Sequence, residues 1–159
     1  VQLSRKPSPK RTESLLPAGI GEYRSITGRL YRFTEYDAPE FLVRRGTRTS
    51  FSPTQCKNYP IQGFATGDIV PEVLGRVFRA LLADEELREK CLIINTVHDS
   101  IIFDCHKSVL DKACRLIRSV MEDAPKWMEK RYGFKIDLPL NVDVEYGHSW
   151  DSLENWKDE

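Results

Sequence analysis

The stretch CLIINTVHDSIIFDC, residues 91–105, sets two short, apolar, β-branched runs on either side of His98-Asp99-Ser100. Val and Ile suit a pleated surface, and a polar trio between two such runs predicts a tight antiparallel hairpin with a polar tip. Burying the runs Cys91 to Val97 and Ile101 to Phe103 would hold the Asp99 carboxylate on a stiff platform. A hard cation such as Mg²⁺ takes one or two carboxylates plus substrate phosphates, so one Asp on a rigid turn is half a metal site. Asp also commonly serves hairpin turns through its own backbone bonds, and a lone His such as His98 is more often a turn or core residue than a ligand. Turn chemistry and metal chemistry therefore both stand for these two positions.

Working outward, helical periodicity flanks the hairpin. After Gly67, apolar residues from Ile69 to Leu82 recur at spacings of three and four, a stripe that must bury itself. Val109, Leu110, Ala113, Cys114, Ile117, Val120 and Met121 define a second amphipathic helix, which Pro125 should end or kink. Asp84 to Lys90 reads as a charged short turn or helix. Leu140-Asn141-Val142-Asp143-Val144 alternates apolar and polar and predicts a last strand. Upstream, Tyr23 to Tyr36 and Phe41-Leu42-Val43 are candidate strands, and Gly46 to Ser50 a loop. Ser52 before Pro53 is a helix start, and Pro60 and Pro71 are expected to bend the helical segment that it opens. No internal repeat is visible. The order predicts an α+β fold, a small antiparallel sheet with helices packed on one face.

A chain of 159 residues is enough for one medium domain or two small lobes. With 40% hydrophobic and 30% charged residues it reads as neither a disordered tail nor a membrane protein. It has no apolar run near the roughly 20 residues that span a bilayer, and VQLSRKPSPK is no signal peptide, so a soluble, intracellular protein is expected. The four cysteines are widely spaced without a CxxC pair, which suits reduced, mostly buried thiols. The first residue is Val, which suits a processed, split or excised piece of something longer. The net charge of zero hides an asymmetry. Residues 1–57 carry 11 basic and 5 acidic side chains, net +6, and the remainder is net −6. One part can face a polyanion while the other holds carboxylates.

Within the basic part, Ser4 to Pro17 is an extended or loosely held arm, able to touch phosphates or to act as a linker. Arg24, Arg29, Arg32, Arg44, Arg45 and Arg48, interleaved with Tyr23, Tyr31, Phe33 and Tyr36, form either a phosphate-contacting surface or a solvated strand face. Asn58 and Gln62 put two amides one helical turn apart. Amides donate and accept, which suits the minor-groove acceptors common to all base pairs; capping or satisfying backbone near Pro60 suits them equally.

Three blocks taken in order, NYPIQGFATGDIV, then INTVHDSIIFDC, then LPLNVDVEYGHSW, resemble the C-terminal part of a family A DNA polymerase, the DNA polymerase I-like group that includes many phage enzymes. The resemblance covers roughly Gly28 to Trp150. It implies a palm and fingers edge: 1–22 a flexible basic arm, 23–51 a basic strand and loop region at the fingers–palm edge, 52–159 the palm's C-terminal region. It further implies Asp99 as the second metal-binding aspartate with Mg²⁺ as cofactor, and His98 against the primer strand near its 3′ end. Asn58 and Gln62 would sit on the helix tracking the minor groove of primer-template DNA, and Arg29 is similar to a basic position at the edge of the fingers; Arg32 joins it as a DNA-contact candidate through the basic segment alone. The Leu140 to Val144 strand and Trp150 resemble the strand and tail that close the family's palm.

The departures matter. Many members have Glu where this chain has Ser100, Lys126 to Asp137 looks like an insertion, and the family's first metal aspartate and dNTP-binding helix lie upstream of these blocks. The implied entity is a split subunit or fragment of a template-directed polymerase, inactive alone and completed, for dNTP use, by a second polypeptide or upstream segment. Its setting would be the cytoplasm of a bacterial or phage-infected cell. A non-catalytic DNA-binding remnant is the alternative. A standalone nuclease is disfavoured, since no second acid or His cluster accompanies His98 and Asp99.

Overall fold

The computed structural model describes residues 4–7, 19–47 and 49–158, the first of these by backbone alone. It divides into two units, Val1–Gly67 and Asp68–Glu159. In the first, β1 (Ser4–Pro7), β2 (Gly19–Arg24) and β3 (Leu30–Thr34) form an antiparallel sheet in that order, with Tyr23 opposite Tyr31 and Glu22 opposite Arg32. The stretch expected as an arm thus supplies β1 and the start of β2; residues 8–18 lie outside the described residues. β4 (Tyr36–Asp37) is followed by a single helical turn, α1 (Glu40–Val43), and pairs antiparallel with β5 (Thr49–Ser50).

Two local expectations fail here. Phe41-Leu42-Val43 is helical, not a strand: Phe41 and Val43 stay exposed, so no burial favours a pleated run, and Pro39 leads into a turn whose first residue is acidic. Thr49 and Ser50, expected in a loop, gain a partner strand that is remote in sequence. Glu35 ties these pieces together. It is buried, and its carboxylate accepts from the Gly19 N–H and the Thr49 hydroxyl, both at 3.0 Å, which offsets the cost of removing a charge from water.

Helix α2 (Pro53–Phe64) starts where Ser52 and Pro53 predict, with the Ser52 hydroxyl accepting the Gln55 N–H at 3.3 Å. It runs through Pro60. Its inner face lies on β3, with Tyr59 against Phe33 at 6.1 Å between ring centroids. Gly63 is required there, since a Cβ would overlap the Tyr31 hydroxyl. A π turn, Ala65–Ile69, leads into α3 (Val70–Ala83).

In the second unit α3 buries Val73, Val77 and Leu81, whereas Phe78 and Leu82 of the same apolar stripe are exposed. Asp84 then organises a turn: its Oδ1 accepts from the Glu86 and Leu87 N–H groups and from Lys112 Nζ at 2.8 Å, and Leu87 is wholly buried. These bonds, Lys112 foremost, hold the Asp84 carboxyl below its ordinary value. Next come β6 (Cys91–Val97), β7 (Ser100–Cys105), α4 (Leu110–Glu122) and α5 (Ala124–Tyr132). Pro125 opens α5, where its missing N–H is harmless, and Gly133 ends it at φ 74°. Between β7 and α4, His106 caps a 3-10 turn, Lys107–Val109, by accepting the Ser108 N–H at Nδ1.

Strands β8 (Glu145–Tyr146) and β9 (Glu154–Asn155) pair antiparallel. The strand expected at Leu140 to Val144 is not formed: the Val142 N–H turns to Glu122 Oε1, and only the Val144 carbonyl reaches a neighbouring segment, accepting the Trp156 N–H at 2.8 Å. The whole is α+β with small antiparallel sheets and helices, as predicted, but the strands fall into separate two- and three-stranded ladders. No helix among the described residues is long and apolar enough to cross a membrane.

Candidate functional site

The hairpin of β6 and β7 runs from the Cys91–Cys105 pair at its base to Val97–Ser100 at its tip. Its turn is two residues, His98 and Asp99, with Ser100 already in β7. Ile94 is an extra residue between Ile93, opposite Phe103, and Asn95, opposite Ile102, a β-bulge that sharpens the local twist. The expected burial of both runs holds only at the base: Cys91 is buried, while Leu92, Ile94 and Val97 are exposed. The reason is that β6 and β7 pair only with each other among the described residues, leaving both edges open.

His98 has φ 55°, the only positive φ at a described non-glycine residue. A two-residue hairpin turn with positive φ at its first position favours Gly, so His98 holds a conformation that costs about 1 kcal/mol or more. Both turn side chains are exposed, and neither forms a hydrogen bond or ion pair among the described residues. Asp99 is thus not spent on the turn. Asp104 is exposed, and at five strand positions from Asp99, about 16 Å, it cannot share an ion with it. No group of three His, Cys, Asp or Glu able to hold a metal occurs among the described residues. The donor set suits one carboxylate ligand of a hard cation, not a complete cage.

In the other unit, Asn58 and Gln62 lie on one exposed face of α2, about 100° round the helix from Tyr59 and Gly63. Ser52 already caps the helix, so the amides are not used for that purpose. The arginines are more committed. Arg32 bridges to Glu22 at 3.1 Å across the strand pair, and Arg24 donates to the Gly28 carbonyl at 2.7 Å. Arg29 Nη2 donates to the Gly67 carbonyl at 2.7 Å. Pro71 has no N–H to offer the carbonyl four residues back, which is that of Gly67, so Arg29 supplies a donor the helix lacks. Arg44 is exposed and only loosely paired with Glu40 at 3.9 Å; Arg48 lies outside the described residues.

Two features escaped sequence reading. A shallow recess of about 570 Å³ is lined by Arg76, Asp123, Lys126, Trp127, Lys130 and Arg131. Glu72 and Asp123 pair with three of those cations, and the Arg76 guanidinium lies 4.4 Å over the Trp127 ring. The i,i+4 spacing of Lys126 and Lys130 was the available signal. The tail is held by Trp156, buried with Nε1 donating to Asp111 at 3.0 Å, while Trp150 is exposed. Nothing local distinguishes the two tryptophans.

Residues 20–152 match DNA polymerase family A. The chain belongs to that family. It is 32% identical over 112 residues to DNA polymerase I of Bacillus caldotenax, covering 70% of this chain and 11% of that one. Against DNA polymerase I of Mycobacterium bovis it is 29% identical over 132 residues, 83% of this chain and 13% of the relative. No solved structure gives a significant match. The chain therefore spans only about a tenth of the length of the curated relatives it matches. The family match takes in Arg29, Arg32, Asn58, Gln62, His98 and Asp99, and leaves out β1 and the Trp156 anchor. Polymerases of this family generally use divalent metal ions, which is the class of ligand an exposed Asp on a stiff turn suits.

Proposed function

We propose that the chain is the C-terminal palm part of a family A DNA polymerase of phage type, a split subunit or a fragment acting in template-directed DNA synthesis. The observation that carries this is the His98-Asp99 turn: two polar side chains exposed and unused by the fold, at a strained two-residue turn, inside the family match. Asp99 is assigned as one ligand of Mg²⁺. When bound, that ion supplies charge neutralisation for transfer of dNMP from dNTP to a primer 3′ end with release of pyrophosphate. His98 lies against the primer strand near that end. Asn58 and Gln62 face the minor groove of the primer-template duplex, and Arg29 and Arg32 contact phosphates in exchange for their local partners.

One carboxylate cannot hold two ions, so activity needs a second strand-borne acid and a dNTP-binding helix from an upstream segment or a partner polypeptide. The setting is the cytoplasm of a bacterial or phage-infected cell. The decisive measurement is primer extension with Mg²⁺ and dNTPs. The isolated chain is expected to be inert, and adding the missing polymerase segment to restore synthesis. Robust extension by the chain alone would defeat the split reading. A second reading, a non-catalytic DNA-binding remnant, draws on Ser100 standing where many members carry Glu; it predicts primer-template binding with no restoration of synthesis by any complementary segment.

A further inference from the structure

Cys91 and Cys105 stand directly opposite one another at the base of the β6–β7 hairpin. Just outside them the His106 N–H donates to the Lys90 carbonyl at 2.7 Å. In an antiparallel ladder a bond in that place flanks a non-hydrogen-bonded pair, the kind with the closer Cα atoms, about 4.5 Å, and the closer side chains. A disulfide spans Cα separations of about 4.4–6.8 Å, so no backbone movement is needed to join the two. Both are free thiols; the Cys105 Sγ–H donates to the His106 carbonyl at 3.7 Å, which leaves the two sulfurs unbonded neighbours across the ladder. Cys91 is buried and Cys105 half-buried, so only the second is open to a reagent from solution. Cys114 on α4 is a third thiol close to both. Among the described residues the three form no group able to hold a metal.

We propose that Cys91 and Cys105 form a two-electron redox site that closes to a disulfide across the base of the His98-Asp99 hairpin when a low-molecular-weight disulfide acts as oxidant. The Cys105 sulfur, having given up its proton, attacks one sulfur of the oxidant and expels the other half as a thiolate, leaving a mixed disulfide. The Cys91 sulfur loses its proton and attacks the Cys105 sulfur, expelling the second half. Two protein thiols lose two electrons and two protons, and the oxidant leaves as two thiols. Burial, with Cys105, Cys114 and Asp104 as neighbours, pushes the Cys91 thiol up to about 12, and burial raises that of Cys105. Closure is therefore slow at neutral pH and quickens as pH rises, because the attacking species is the thiolate. The inference does not depend on the polymerase reading, since it needs only the register of the hairpin.

The test treats the native chain with oxidised glutathione, quenches in acid with an alkylating agent and maps the peptides. Two of the four thiols should disappear, the mass of the final product should fall by about 2 Da for the hydrogens removed, and the linked peptides should carry Cys91 and Cys105, with Cys56 and Cys114 still free. A thiol reductant should reverse it. Cys105→Ser should abolish the cross-link and Cys56→Ser should leave it intact. Mapping is done on the unaltered protein, so a poorly folding variant does not blur the result. A native chain that keeps all four thiols under conditions that oxidise its urea-unfolded form overturns the proposal, as does a link to Cys114 or between molecules.

Discussion

The two long hairpins use their turns in opposite ways. Between β2 and β3 the turn residues are consumed by the turn. Gly28 takes φ 87°, the Arg24 guanidinium donates to the Gly28 carbonyl, and the Ser25 hydroxyl accepts the Arg29 N–H at 3.0 Å while bonding Thr27. Between β6 and β7 the left-handed position falls on His98, and the polar side chains of the turn are left unused by the fold. A turn that places Gly where the backbone demands it is built for folding. A turn that places His there, and leaves a carboxylate free, has side chains available for chemistry.

The sharpest way to break this contrast is Asp99→Asn in the reconstituted polymerase. Loss of one metal carboxylate should cut nucleotide addition by at least about 10³-fold while primer-template affinity hardly changes. Single-turnover extension and a binding titration check the two halves, and an unaltered rate would remove Asp99 from the metal site.

Backbone strain gives a reciprocal pair of smaller effects. Gly28→Ala meets no neighbouring atom, so its cost is conformational alone, about 1 kcal/mol in chemical denaturation. His98→Gly removes strain but adds chain entropy in the unfolded state, so stability should stay level or rise by less than about 1 kcal/mol, while extension in the assembled enzyme falls. If His98→Gly destabilised as much as Gly28→Ala, the idea that His98 is kept at a cost to the backbone would fail.

The subtlest comparison concerns the arginines that the first hairpin has already engaged. Replacing Arg29 and Arg32 together by Ala should weaken primer-template binding and reduce the slope of log affinity against log salt by up to about 2. The Arg32–Glu22 pair, whose guanidinium is exposed, itself contributes about 1 kcal/mol or less to stability. A slope identical to that of the parent would confine both residues to their contacts with Gly67 and Glu22.

What the amino-acid order determined by itself was whatever depends on near neighbours. The β-branched runs around residues 98–100 specify a hairpin, Ser52-Pro53 a helix start, the Val109 to Met121 spacing a helix, and the alternation of such elements an α+β fold. The pairing of Asn58 and Gln62 on one face was likewise legible, because 3.6-residue periodicity is a local property. Tertiary structure alone decided where partners are remote. Leu140 to Val144 alternates like a strand, yet its Val142 N–H goes to the Glu122 carboxylate, while Thr49-Ser50 finds β4. Trp156, not Trp150, is buried because Asp111 lies 45 positions away with an acceptor for its indole. The arginine pattern could not reveal that Arg29 answers a donor missing 42 residues later at Pro71, nor the spacing of Cys91 and Cys105 that they share a non-hydrogen-bonded pair. Periodicity fixes which face a side chain takes on its own element; which atoms meet it there depends on chain segments that only folding brings together.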